Sequence, residues 1–183
     1  MAGLKFRVLL DSDKNQEVFR DIFIDANASF EVFYQTILKS FEFTGHEMAS
    51  FYVSNEDWDK GHEISWMDMR YNDDDKPEDL PSVMAKAQLS EFIEEPDQKF
   101  ILVYDFLRMW IFLIELIGYE QDGPSEPQIS LAIGDSPLED SKPISEEIFD
   151  GDDLEDNEDE FGFNNLEDGF DEEDYGGFEE FDY

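Results

Sequence analysis

The uneven distribution of charge along this chain limits where a hydrophobic core can form. Residues 1–134 contain 27 acidic and 11 basic residues, whereas residues 135–183 contain 22 acidic residues and one basic residue, Lys142. Crowded like charges oppose compaction. The C-terminal stretch also has few aliphatic residues, so it cannot bury enough apolar surface to offset a backbone ordering entropy of roughly 1–2 kcal/mol per residue. We therefore predict one folded domain over residues 1–140 and a disordered acidic tail over residues 141–183.

Apolar periodicity predicts the elements of the first half of the domain. Apolar residues alternate from Leu4 to Leu10, and a β-branched and aromatic segment at 18–24 follows a turn-prone stretch, which together indicate an antiparallel hairpin. From Ser29 the spacing changes to that of a helix with one apolar stripe, with Ser29 as its N-cap and Gly45 just past its end. The stripe consists of Phe30, Phe33, Ile37 and Phe41.

Further strands are predicted at 48–53 and 63–70, followed by a loop at 71–81 and a short helix or turn at 80–93. Segments 100–106 and 109–117 are rich in β-forming residues and are separated by only two residues, so they are predicted to form an antiparallel hairpin at the centre of the sheet. Beyond Gly118 the Gly and Pro content rises and the periodicity is lost. The predicted fold class is α+β: a compact, mostly antiparallel sheet with one main helix packed on it.

The residue inventory excludes several kinds of chemistry. The chain has no cysteine, so it has no disulfide, thiolate metal site or thiol nucleophile, and this composition fits a reducing compartment. It has only two histidines, His46 and His62, no Gly-rich phosphate loop and no pair of histidines at helical spacing. We predict no metal site and no cofactor. The N-terminus lacks the features of a secretory signal, and we expect a cytoplasmic protein.

The run from Tyr104 to Ile114 resembles the signature hairpin of the plasmid pRi ORF-three-like family, also described as a transposon passenger family. The family pattern reads Tyr-Asp-Phe-Gly-Asp, then Trp two places on, then His two places after that. The matching residues are Tyr104, Asp105, Phe106, Trp110 and Ile114. The order of the other predicted elements agrees, and 136–140 carries a trace of the family's later Pro-Pro-Glu-Asp element. The resemblance covers about residues 3–140 and implies a compact mixed α+β fold.

The chain departs from that family where the polar groups of the hairpin would lie. Leu107 and Arg108 replace the Gly-Asp turn, and Phe112 replaces the histidine. A His-x-His-like patch that the family often carries near the helix end is also absent, since Glu47 and the two residues after it occupy that stretch. A site built from those family residues is therefore absent or rearranged here.

The hairpin nevertheless supplies the candidate cleft residues of the domain: Tyr104, Asp105, Arg108 and Trp110. Asp105 follows a strand between two aromatic residues, where its carboxylate has two possible uses. It either serves a ligand site or accepts backbone N–H groups of the turn, which is a common role for Asp in turns. An enzyme or ligand-binding domain of unknown reaction, using a cleft beside this hairpin, is the alternative to the function that follows.

The tail carries aromatic residues at intervals in an acidic background: Phe149, Phe161, Phe163, Phe170, Tyr175, Phe178, Phe181 and Tyr183. Isolated rings in a charged segment suit docking onto a basic, partly apolar protein, with the charge steering the encounter. A tail that serves only solubility is the competing interpretation. The formal charge of −37 opposes direct binding to nucleic acids and anionic lipids. The sequence thus favours a non-enzymatic interaction module whose acidic tail engages a basic protein partner, with its oligomeric state left open.

Overall fold

The computed structural model describes residues 2–14, 16–68 and 80–145, which belong to one compact unit, Met1–Ser145. The strands are β1 (Gly3–Leu10), β2 (Phe19–Asp25), β3 (Ala49–Ser54), β4 (Lys60–Ser65), β5 (Ser82–Val83), β6 (Lys99–Tyr104), β7 (Trp110–Glu120) and β8 (Gln128–Ile133). The helix α1 spans Phe30–Ser40, and a 3-10 helix spans Leu89–Phe92.

The eight strands form one sheet in the order β5-β4-β3-β6-β7-β1-β2-β8. Every neighbouring pair is antiparallel except β4 with the two-residue strand β5. The predicted hairpins β1–β2 and β6–β7 are confirmed, and β6 and β7 lie at the centre of the sheet. The α+β fold class is confirmed.

The ends of α1 follow from local hydrogen bonding. The Ser29 hydroxyl accepts from the Val32 backbone N–H at 3.3 Å, as the sequence predicts for an N-cap. At the other end, the Phe43 N–H donates to the Leu38 carbonyl at 2.9 Å while Glu42 adopts φ 60°, which is the pattern of a Schellman motif. The left-handed residue that closes the helix is thus Glu42 rather than the predicted Gly45, which has φ 76° three residues later.

The core lies between α1 and one face of the sheet, and it is largely aromatic. Phe33 of α1 packs against Phe6 of β1 at a ring-centroid distance of 4.8 Å and against Phe51 of β3 at 5.8 Å. Phe112 of β7 is fully buried, and its ring lies 5.0 Å from the Phe41 ring. The predicted helical stripe therefore faces the alternating residues of the sheet, as amphipathic packing requires.

Three strands differ from their prediction, and one of them is β5 (Ser82–Val83), which lies in the segment predicted as a short helix or turn. The strand expected at 63–70 is displaced to Lys60–Ser65, because its pairing with β3 sets its register. The sequence also missed β8, which pairs with β2 at the sheet edge although all six of its residues are exposed. The alternation of Ile129, Leu131 and Ile133 was its signal, but the surrounding Gly and Pro residues favoured a loop.

Candidate functional site

Asp105 opens the turn that joins β6 to β7, and its carboxylate organises that turn. Its Oδ1 accepts the backbone N–H groups of Leu107 at 3.0 Å and Arg108 at 3.1 Å. Asp105 is buried and has φ 59°, a conformation in which Asp is among the better-tolerated side chains. Its own N–H donates to the Met48 carbonyl at 2.9 Å. The sequence left two uses open for this carboxylate, a ligand site or acceptance of backbone N–H groups in the turn. The observed geometry is the second of these.

Tyr104 ends β6 with its ring in the core and its hydroxyl in a polar network. The hydroxyl donates to the Glu139 carboxylate and accepts the Gly45 backbone N–H at 3.1 Å. The same carboxylate accepts the Thr44 N–H at 2.8 Å and the Thr44 hydroxyl at 3.0 Å. Glu139 thereby ties residues 44–45, just beyond α1, to the end of β6.

Burial and hydrogen bonding set the protonation states of Tyr104 and Glu139 in this network. Burial, and next the hydrogen bond to Glu139, raise the pKa of Tyr104, so its hydroxyl stays protonated and remains a donor. Burial on its own raises the pKa of Glu139, but the hydrogen bonds from Tyr104 and Thr44 outweigh it and lower the pKa overall. The pair is therefore a neutral donor and an ionised acceptor at neutral pH.

Trp110 and Arg108 hold the segment that follows Glu139. The Trp110 indole N–H donates to the Glu139 carbonyl at 2.9 Å, and the Lys142 ammonium lies 5.5 Å from the centre of the Trp110 ring. The Arg108 guanidinium donates to the carbonyls of Asp140, at 3.2 Å, and Lys142. The hairpin thus binds its own chain through residues 139–142.

This attachment continues past residue 140. The Ser145 N–H donates to the Leu107 carbonyl at 2.7 Å, and the Lys142 ammonium donates to the Met109 carbonyl. Residues 141–145, which the sequence analysis assigned to the tail, therefore contact the hairpin.

The structure brings all four hairpin candidates together, but their polar groups point at the protein itself. A pocket of about 300 Å³ lies between the β1–β2 connection and residues 135–143, and Trp110 is the one of the four candidates that lines it. Within the described residues, no group of three or more His, Cys, Asp or Glu side chains is placed to hold a metal ion. In the same part of the chain, no helix is long and apolar enough to cross a bilayer.

His62 and Ser82 form the arrangement nearest to a nucleophile and base. The His62 Nε2 atom lies 2.8 Å from the Ser82 hydroxyl at the β4–β5 edge, and the imidazole stacks on the Phe92 ring at 5.9 Å. His62 is exposed, and among the described residues no carboxylate is hydrogen-bonded to the imidazole to orient it. This pair is therefore a surface contact between strands.

Tyr34 is a residue that the sequence analysis did not single out. Its side chain is buried, and its hydroxyl has no hydrogen-bond partner among the described residues. It lines an open pocket of about 570 Å³ together with Gly45, His46 and Trp66. Burial, as the main cause, raises the pKa of Tyr34. In a sequence, a tyrosine beside an apolar helical stripe is predicted to be a core residue, and the pattern gives no information on its hydroxyl. Only the structure shows that the hydroxyl is unpaired among the described residues.

Replacing Tyr34 with phenylalanine should raise the free energy of unfolding by about 1 kcal/mol, because it removes an unsatisfied buried hydroxyl and keeps the ring. Thermal or urea unfolding of the two proteins measures the difference. The matched control is Tyr104→Phe, which removes a hydroxyl with two hydrogen bonds and should lower stability. A loss of stability in Tyr34→Phe would show that a bound water or ligand satisfies the hydroxyl.

Comparisons with known proteins give one family and one fold. The model of the plasmid pRiA4b ORF-3-like protein family matches residues 2–177. A crystal structure of a protein of unknown function from Methanosarcina mazei Go1 is similar, with a TM-score of 0.62 at 18% sequence identity over 78% of this chain and 75% of that one. No curated protein matches the chain. At this identity, the structural similarity establishes a shared fold.

Proposed function

The chain belongs to the plasmid pRiA4b ORF-3-like family, and from this premise we propose that it is a non-enzymatic interaction module whose acidic, aromatic tail binds a basic protein partner. Neither the family description nor the similar structure names a reaction. The proposal therefore depends on the chemistry of this chain alone.

The observation that carries the proposal is the composition of residues 146–183. This segment contains 19 acidic residues and no basic residue. It also contains the aromatic residues that are predicted from the sequence to bind the partner. Those aromatic residues, from Phe149 to Tyr183, lie outside the described residues. A long-range negative field accelerates encounter with a positively charged protein. Aromatic rings then supply apolar contact area, which charge alone does not.

The geometry of the hairpin supports an interaction role over catalysis. The polar groups of Tyr104, Asp105 and Arg108 donate to, or accept from, atoms of the same domain. A catalytic group has to reach a substrate within hydrogen-bonding distance. In the described geometry these three groups hold the turn and residues 139–142 in place.

A ligand-binding domain is the second candidate function. The observation that favours it is the unpaired, buried hydroxyl of Tyr34 beside an open pocket, since buried polar groups are normally hydrogen-bonded. This pocket lies beyond α1, whereas the cleft predicted from the sequence lies beside Tyr104 and Trp110.

The absence of cysteine fits our further proposal that the protein works in the reducing cytoplasm.

Affinity capture with the full chain and with a chain ending after Ser145 tests the proposal. We expect the shortened chain to keep a cooperative thermal transition, because the core residues and the contacts of residues 139–145 precede the cut. Basic proteins should be captured by the full chain and lost with the tail. Capture of the same proteins by both chains would contradict the proposed role of the tail, and retention of a small molecule by the shortened chain would favour the second candidate.

A further inference from the structure

The pocket beyond α1 is lined by a tyrosine whose hydroxyl is buried and unpaired. The Tyr34 side chain is 1% exposed, and in the part of the chain that the structure describes its hydroxyl has no hydrogen-bond partner. We call this pocket, which Tyr34 lines together with Gly45 and Trp66, the Tyr34 pocket. Because buried hydroxyls are normally hydrogen-bonded, the Tyr34 hydroxyl indicates that a polar group of another molecule binds here.

Gly45 leaves space beside that hydroxyl. A Cβ atom at position 45 would lie 4.0 Å from the Tyr34 hydroxyl and 3.3 Å from Leu38 Cδ1. Gly45 has φ 76°, a conformation that glycine adopts without strain. Its N–H donates to the Tyr104 hydroxyl at 3.1 Å, and that hydroxyl in turn donates to Glu139. The hydrogen-bond network of Tyr104 and Glu139 therefore holds this wall of the pocket in place.

The other walls of the Tyr34 pocket are largely apolar. The Trp66 ring lies 5.0 Å from the Tyr34 ring at an angle of 48°. The Trp66 backbone N–H donates to the Ala49 carbonyl at 3.0 Å, which fixes the position from which the indole projects. Leu38 and Phe43 also line the pocket. Aromatic and aliphatic walls with a few polar groups are typical of sites for small organic molecules, and the volume of about 570 Å³ lies within the range of roughly 300–1,000 Å³ for such sites.

The charges near the hydroxyl favour an uncharged ligand with a hydrogen-bond acceptor. Burial is the main cause of the raised pKa of Tyr34, and the nearby carboxylates of Glu139 and Glu47 add to it. The hydroxyl therefore keeps its proton and can donate it. The same carboxylates would repel an anion placed at the hydroxyl. An ammonium group has no acceptor for the hydroxyl proton, so a cation would leave that donor unpaired.

We infer that the Tyr34 pocket binds a small uncharged aromatic or heteroaromatic molecule, whose ring packs on Trp66 and whose acceptor atom takes the hydrogen bond of the Tyr34 hydroxyl. Aromatic rings pack favourably on indole in offset or edge-to-face arrangements, which gives the ring its contact area. This inference rests on the second candidate function, since it names the class of ligand for that pocket. It is independent of the acidic tail.

Titration of the isotope-labelled full chain with benzamide, an uncharged ring with a carbonyl acceptor, tests the inference by NMR. We expect a saturable shift of the Trp66 indole N–H signal, which is assigned with Trp66→Phe. Tyr34→Phe keeps the ring and should raise the Kd of benzamide about fivefold, the effect of one lost hydrogen bond. The matched control is Tyr119→Phe, which removes a hydroxyl from a half-exposed tyrosine outside the pocket and should bind as the wild type. Thermal melting verifies that each variant is folded.

Benzoate and benzylammonium carry a negative and a positive charge on a similar ring and complete the test. We expect both to bind several-fold more weakly than benzamide. Tighter binding of either, or equal affinity of benzamide for the wild type and Tyr34→Phe, would overturn the inferred ligand class and leave the second candidate function standing. Absence of a saturable Trp66 shift with all three compounds would contradict both. The role of the tail is decided separately, by affinity capture with the chain that ends after Ser145.

Discussion

Replacing Phe112 with histidine should lower the free energy of unfolding by about 3 kcal/mol, because it removes a buried ring from the core and adds a polar group that must be desolvated. Phe112 is fully buried, with the Phe41 ring at 5.0 Å and the Phe43 ring at 6.0 Å. Urea or thermal unfolding of the purified variant measures the loss.

Leu113→His is the matched control, because it puts the same residue on the same strand but on the outer face of the sheet. There the imidazole is partly solvated, and the expected loss is about 1 kcal/mol or less. If Phe112→His melted at the wild-type temperature, position 112 would be exposed. A histidine would then be accommodated at this position at no cost, and the question of a site there would reopen.

The family and the main elements could be predicted from the sequence because their signals are local. The alternation from Leu4 to Leu10, the helical stripe that begins at Phe30 and the hairpin pattern at Tyr104 each lie within a few residues of one another. Membership of the family and the α+β fold are both confirmed. The edge strand β8 was missed because its pairing with β2 joins residues more than 100 positions apart.

The candidate site was less predictable because its contacts are long-range. The hairpin residues were found, but their partner Glu139 was not, although it lies within the segment 136–140 that was compared with the family pattern in the sequence. Nothing in the residues near Tyr104 indicates that its hydroxyl meets a carboxylate 35 positions later.

Serine in place of the phenylalanines at 161, 163, 170, 178 and 181 should abolish binding to a basic partner at high salt while leaving most of the binding at low salt. The substitutions keep every charge of the chain. Charges separated by more than the Debye length, about 8 Å at physiological ionic strength, are largely screened, so the electrostatic part of the affinity falls as salt is added. Each docked ring contributes on the order of 1.5–3 kcal/mol by buried area, less the entropy of ordering the segment, and this part resists salt.

The acidic tail is proposed to bind a basic protein through both its charge and its rings. The most direct measurement is the affinity of the wild-type chain and of the five-serine variant for the same immobilised basic peptide, with leucine on one side of a helix and lysine on the other, over a series of salt concentrations. We predict that the wild-type affinity falls steeply and then levels off at a measurable value, and that the variant follows the same fall without levelling off. Identical curves for the two proteins would contradict the claim and would make the tail a purely electrostatic, solubilising segment.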